Sequence, residues 1–266
     1  MQLIEVRDKK TAKDFILVNV DINKSNPHYI RPLDSDITEI FDPAKNKAFR
    51  FGEAARWVLK DNASTGSAGK LIGRIAAFTN SKYKNKGDEM AVGGIGFFDC
   101  INNQEATDML FDVAKHWLMQ KGMEAMDGPI NFGERDRWWG LMVEGFNREP
   151  IYGMPFNPPY YKDLFEGYGF KNYYDQYWYA MNVDDPLPSR FAERHAKFKN
   201  KQGYAARHIR ASQLDNHAGE FAAVYNAAWA QHGEAKEITK EQAIKLFKKM
   251  KPVMDERMVW FAYYKE

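Results

Sequence analysis

NPPYYKDLFEGYGF, residues 157–170, joins a proline-set helix start to a Gly-Phe exit. Pro158 and Pro159 suit the first turn of a helix, where a missing N–H costs nothing, and Leu164, Phe165 and Tyr168 recur at helical spacing. Gly169 ends that helix. Beyond it, KNYYDQYWYAM (171–181) alternates its aromatics in a run of high β-propensity, which predicts a strand with one buried face.

Upstream, residues 3–6 read as a strand, and 11–20 place Ala12, Phe15, Ile16 and Val20 at helical intervals. Residues 26–47 are rich in Pro, Asp and Asn, predicting irregular chain around one short helix. Residues 56–59 and 71–78 (LIGRIAAF) form the strands of a hairpin joined by NASTGSAG (62–69). VGGIGFF (92–98) is a third strand whose glycines point to a bulge or a close approach by another group. Apolar side chains at 106, 109, 110, 113 and 117 define a long helix, with Asn102 and Glu105 as its cap and reciprocal partner and Gly122 at its end. AMDGPINF (125–132) returns as a strand, and WWGLMVEGF (138–146) reads as a helix or turn. The first 180 or so residues thus read β-α-β-β-β-α-β-α-β, a mixed α/β sheet with helices on both faces. DDPLP (184–188) marks a boundary, 190–201 a charged helix, and 204–266 repeat the opening order of strand, helix, helix, strand.

The chain has 266 residues, 44% of them hydrophobic and 15% aromatic, ample for a core. Its 38 basic and 36 acidic side chains leave a net charge of +2, no surplus for neutralising a nucleic-acid backbone. A single cysteine, Cys100, excludes an intramolecular disulfide and a cysteine-rich zinc site. The N-terminus MQLIEVRDKK lacks an apolar signal core, and no apolar run approaches the ~20 residues needed to span a bilayer. The expected setting is cytoplasmic, with neither nucleic acid nor membrane as partner.

GRIAAF (73–78) on one strand, GGIGFFDC (93–100) on the next, a long helix, and a Pro-Tyr-Tyr helix ending in Gly-Phe together resemble the GCN5-related N-acetyltransferase superfamily over residues 1–182. PHYIRPLDSDITEIFDPAKNK (27–47), GPINFGERDRWWGLMVEGF (128–146) and PFNPPYYKDLFEGYGF (155–170) resemble a bacterial branch of tandem acetyltransferase-like proteins. The resemblance implies an acyl-CoA N-acyltransferase-like fold of α+β type, a mostly antiparallel mixed sheet flanked by helices. It implies a first domain over 1–182, a linker over 183–203, and over 204–266 the N-terminal part of a second domain of the same kind, ending after two strands. It also implies that strand 92–98 and the strand near Ala125 splay apart to admit the pantetheine arm of acetyl-CoA or another acyl-CoA. The cofactor contacts would fall at Ile95, Gly96, Phe97, Phe98, Asn102 and Asn103.

Two departures from that pattern are visible. The turn that would hold the pyrophosphate, CINNQE (100–105), has neither glycine nor arginine. Residues 87–114 contain no Lys or Arg while carrying Asp99, Glu105, Asp108 and Asp112, so a phosphate meets repulsion there. Where many members carry a general-acid tyrosine, this chain has Phe165. Tyr161, one turn earlier on the same helical face, is the candidate substitute acid, with core packing as the alternative. Glu134 and Asp136 are candidate base and carboxylate, and Asn131, Arg135 and Tyr160 candidate contacts for an amine or amino-acid-like substrate. His28, His116, His208, His217 and His232 form no His-x-x-x-His pair, so no metal is expected. Two readings stay open: an N-acyltransferase in which a substrate amine attacks an acyl-CoA thioester directly, and an acetyltransferase-like module that binds a ligand or protein without turnover. Residues 258–264 (MVWFAYY) form a strand whose open edge predicts pairing with a second copy.

Overall fold

The computed structural model describes residues 1–61, 69–82, 90–133, 137–229 and 237–265. All but Gly69 of the linker expected over 62–69 lies outside them. The chain divides into two units, 1–178 and 179–266.

In the first unit, β1 (Gln2–Glu5), β2 (Ala54–Asp61), β3 (Lys70–Phe78), β4 (Val92–Cys100) and β5 (Ala125–Asp127) form one sheet in that order. The first four are antiparallel, and β5 runs parallel to β4. Helices α1 (Lys9–Asn23) and α2 (Asp34–Ile40) cover one face, α3 (Gln104–Gln120) and α4 (Tyr161–Tyr168) the other. This is the mixed, mostly antiparallel, helix-flanked sheet that the acetyltransferase resemblance implies.

Side-chain alternation sorts the core. Trp57, Leu59, Ile75 and Ala77 pack toward α3, while Val58 and Ala76 pack toward α1. The period of two fails in β4, where Ile95 and Phe98 share the α3 face and Phe97 turns to the other. There Phe97 and Phe98 together oppose the single residue Ile75, a β-bulge, and Phe97 carries the φ of 51° that the insertion demands.

Helix ends follow the sequence closely. Asp8 and Thr11 form a reciprocal capping box on α1. The cap of α3 is Asn103 rather than the expected Asn102: its extended backbone lets its side chain accept from the Ala106 N–H at 2.8 Å, and Glu105 is left in the first turn instead of reaching back. Both α3 and α4 close in Schellman turns. The Gly122 and Met123 N–H groups reach Met119 and Leu118 carbonyls, and those of Gly169 and Phe170 reach Glu166 and Phe165. In α4 the accompanying apolar contact is the Phe170 ring on Phe165, centroids 5.1 Å apart. The Gly-Phe exit thereby knots the chain into a cluster with Phe98 and Phe111. The buried rings of this cluster, Phe98, Phe111 and Phe165, contribute ~1.5–3 kcal/mol each.

Three expected elements differ. Residues 171–181 form no strand; their aromatics are exposed, Tyr179 to 92%. Aromatic β-propensity is realised only where a neighbouring strand supplies a ladder and a covered face, and no described strand pairs with this segment. The return over 125–132 is a strand only to Asp127, since Pro129 has no N–H to extend the ladder. Residues 138–146 are irregular, with Gly140 and Gly145 at positive φ.

In the second unit, α5 (Ser189–Lys199) precedes β6 (Tyr204–His208), α6 (Leu214–Trp229), α7 (Lys240–Met250) and β7 (Trp260–Tyr264). Strands β6 and β7 pair antiparallel over a core of Ile209, Leu214, Ala218, Ala222, Ala243 and Phe247. Thr239 and Gln242 form the capping box of α7. The order β6-α6-α7-β7 repeats β1-α1-α2-β2, including the antiparallel pairing.

Candidate active site

The β4–β5 ladder lasts three residue pairs, ending at Gly94 and Asp127, and the Ile130 N–H then reaches the Ile95 carbonyl at 2.8 Å. Gly96 lies under this crossing, where a Cβ would meet the Ile130 oxygen at 1.9 Å. Past Gly96, no described strand pairs with β4 on that side. The gap closes again at Cys100, whose N–H donates to Tyr161 Oη at 2.9 Å and whose carbonyl accepts from Tyr160 Oη at 2.8 Å. Between these ends the bulged segment Phe97, Phe98 and Asp99 lines a slot of ≈ 70 Å³. Its walls are mostly apolar: Ile30, Pro32 and Ile37 from the α1–α2 region, Pro129, Trp138 and Leu141 from the chain after β5, and Pro155 and Phe156 before α4.

At the base of the slot, Arg74 and Asp99 are cross-strand partners, with Nε to Oδ2 at 2.6 Å and both side chains buried. Asp99 also accepts from Asn19 Nδ2 at 3.1 and 3.0 Å and from Tyr161 Oη at 3.1 Å. Arg74 donates to the Phe15 carbonyl at 2.9 Å and stacks over the Phe15 ring at 4.8 Å. Tyr29 Oη donates to Asn19 Oδ1 at 2.7 Å. The charges are thus paired and hydrogen-bonded, the condition under which an ion pair survives burial. Burial pushes the Asp99 carboxyl above its ordinary range, against the pull of Arg74, Asn19 and Tyr161. Burial also raises the Tyr29 and Tyr160 phenols to about 12, the Tyr161 phenol well above its usual value, and the Cys100 thiol to about 11.

Among the residues singled out from sequence, Phe97, Phe98 and Tyr161 line the slot and Tyr160 seals its end. Tyr161 is 1% exposed, with its proton given to Asp99 and a lone pair to Cys100; burial holds its phenol in the protonated form. Ile95 is in the core with its carbonyl occupied. Asn103 is committed to capping α3, and Asn102 is exposed beside it. Asn131 is buried outside the slot lining. Glu134, Arg135 and Asp136 lie outside the described residues, as does His232. No group of three His, Cys, Asp or Glu side chains that could hold a metal occurs among the described residues. No described helix is long and apolar enough to cross a membrane.

Sequence reasoning missed Arg74, Asn19 and Tyr29, and read Asp99 only as a charge repelling phosphate. The signal was one basic residue inside LIGRIAAF and one acidic residue at the end of GGIGFFD, opposite charges in adjacent apolar strands. Such charges are rarely buried unless paired with each other.

No protein-family model matches the chain. It is 26% identical over 262 residues to a bacterial ceramide synthase of Caulobacter vibrioides, covering 98% of this chain and 66% of that protein. It is 27% identical over 178 residues to protein YghO of Escherichia coli, covering 66% of this chain and 43% of YghO. The chain therefore spans just under two thirds and under half of the length of these curated relatives. Among solved structures it is similar to the aminoglycoside 6'-N-acetyltransferase AAC(6')-IG of Acinetobacter haemolyticus, at a TM-score of 0.40 and 14% identity over 69% of this chain and 100% of that one.

Proposed function

We propose that the first unit is an acyl-CoA-dependent N-acyltransferase whose acceptor is the amino group of a long-chain, largely apolar amine. The observation that carries this reading is the slot itself: a bulged stretch of β4 beyond the end of β5, with apolar walls and a buried charged base. The similarity to a bacterial ceramide synthase over nearly the whole of this chain supports both the reaction class and an acceptor with an apolar tail.

In this reading the acyl thioester enters beside Phe97 and Phe98, and the amine nitrogen attacks its carbonyl carbon. The C–N bond forms, the C–S bond breaks, and the departing thiolate takes up the proton lost by nitrogen. Tyr29 Oη, after donating to Asn19, keeps lone pairs that can accept an N–H of the amine, and Asn19 ties that hydroxyl to Asp99. A rigid, already bonded wall of this kind orients the two reactants without reorganising at the moment of reaction. Glu134, Arg135 and Asp136 belong to the same proposal as groups near the acceptor, and residues 204–266 as the start of a second domain of the same kind.

One observation favours a second reading, a binding module without turnover. The Asn103 side chain is occupied as a helix cap, and Glu105 and Asp108 stand in the first turns of α3, where a pyrophosphate would otherwise bind. Titration calorimetry with short and long acyl-CoAs, followed by mass-spectrometric search for the N-acyl product of a sphingoid-type amine, separates the two. Product that is lost in Tyr29→Phe and Asp99→Asn supports catalysis. Binding without product supports the module, and no binding of any acyl-CoA at millimolar concentration removes the acyltransferase reading.

A further inference from the structure

In the second unit, α5 carries an aromatic stripe that the fold covers only in part, with the Phe198 ring meeting that of Tyr204 at 5.3 Å between centroids. None of its residues is buried, although Phe191 and Phe198, two turns apart, lie on one side of the helix, 48% and 40% exposed. Arg190, Arg194 and Lys197 run along one flank of this stripe and Lys199 along the other, by the 100° step of a helix. From Ser189 to Lys201 five basic residues stand against the single acid Glu193. The chain leading into α5 also exposes apolar side chains: Met181 and Leu187 are exposed, and Val183 is 99% exposed.

We propose that α5 docks on an anionic lipid surface, lying in the plane of the interface rather than crossing it. An apolar stripe of aromatic rings bordered by Lys and Arg, with low overall hydrophobicity, is the pattern of interfacial helices: the rings enter the boundary between headgroups and acyl chains while the long basic side chains stay among the phosphates. The two contributions are both required, because two rings alone give weak, reversible attachment and the surplus positive charge supplies the rest. The negative surface of such a membrane complements α5 in sign. The acidic pair Asp184 and Asp185 precedes the helix in sequence, outside the basic stretch. This docking does not depend on the acyl-transfer reading, although it would bring an enzyme to a lipid amine.

The experiment is co-sedimentation of the full chain with vesicles of phosphatidylcholine alone and of phosphatidylcholine with phosphatidylglycerol. Binding is expected only when phosphatidylglycerol is present, and it should weaken as salt is raised. Phe191→Glu with Phe198→Glu should reduce partitioning about tenfold or more, and Lys197→Glu with Lys199→Glu about fivefold for each charge lost. The charge pair is exposed, so circular dichroism melting should be unchanged in that variant; Phe198→Glu also gives up the ring contact with Tyr204, and if the first pair perturbs folding, the charge pair alone decides. Equal binding to neutral vesicles, or unchanged partitioning in folded variants, overturns the proposal. So does self-association in sedimentation velocity that Phe191→Glu with Phe198→Glu abolishes in the absence of vesicle binding, which would assign the stripe to a second copy of the chain.

Discussion

At the scale of single residues, the Arg74–Asp99 pair is where stability and chemistry meet. Removing one partner leaves the other charge buried without compensation, so Arg74→Met should cost about 3–5 kcal/mol of stability in denaturant titration. A change below 1 kcal/mol would mean that Asp99 is already neutral there. Tyr161→Phe strands the Cys100 N–H and one lone pair of Asp99, an expected loss of about 1–3 kcal/mol by the same measurement. Cys100 has a raised pKa and no exposed surface, so a thiol reagent at pH 8 should label it only after denaturant is added. That Cys100 forms neither a disulfide nor a cysteine-rich zinc site was legible in the sequence, which has no second cysteine. The pairing of Arg74 with Asp99 was not, because it depends on a register that only the bulge at Phe97 sets.

At the scale of elements, two glycines hold positions that no other residue fits. Gly169 has a φ of 112° at the end of α4, and Gly169→Ala should lower stability by about 1–2 kcal/mol through backbone strain alone. Gly96→Ala places a methyl group against the Ile130 carbonyl, and should both destabilise and shift the crossing that opens the slot. Loss of acyl-CoA binding larger than the loss of stability explains would tie that crossing to the ligand. The helix over 161–168 was readable because its apolar spacing and terminal glycine agree with one another, although Pro158 and Pro159 stand ahead of its cap, Tyr160, rather than in its first turn. The strand expected over 171–181 failed for the opposite reason: its composition specifies a pleated surface, but pairing is decided by a neighbour that the local sequence does not contain. The resemblance led to the expectation of a splay between β4 and β5, whereas the gap opens because β5 ends at Asp127. Its sealing by Tyr160 and Tyr161 needed the coordinates, since residues sixty positions apart meet there.

At the scale of the whole molecule, three slot tyrosines keep their protons at high pH. With Tyr29 and Tyr160 raised from 10 to about 12, the stability gained by holding them neutral is complete below pH 10 and is lost as pH rises through 12. Ultraviolet titration of phenolate should therefore show exposed tyrosines ionising first and a late step that coincides with loss of near-ultraviolet circular dichroism; one smooth transition near pH 10 would contradict the burial described above. Chymotrypsin should cut first between 173 and 181, where tyrosines and Trp178 are exposed on irregular chain. The Phe170 knot gives that cut a consequence. Every residue lining the slot precedes 166, and the ring that locks α4 sits five positions beyond, so a fragment trimmed after Lys171 retains the complete pocket together with its own stopper. Ligand affinity could then be measured on a portable piece, freed from whatever the remainder of the chain contributes to solubility or attachment.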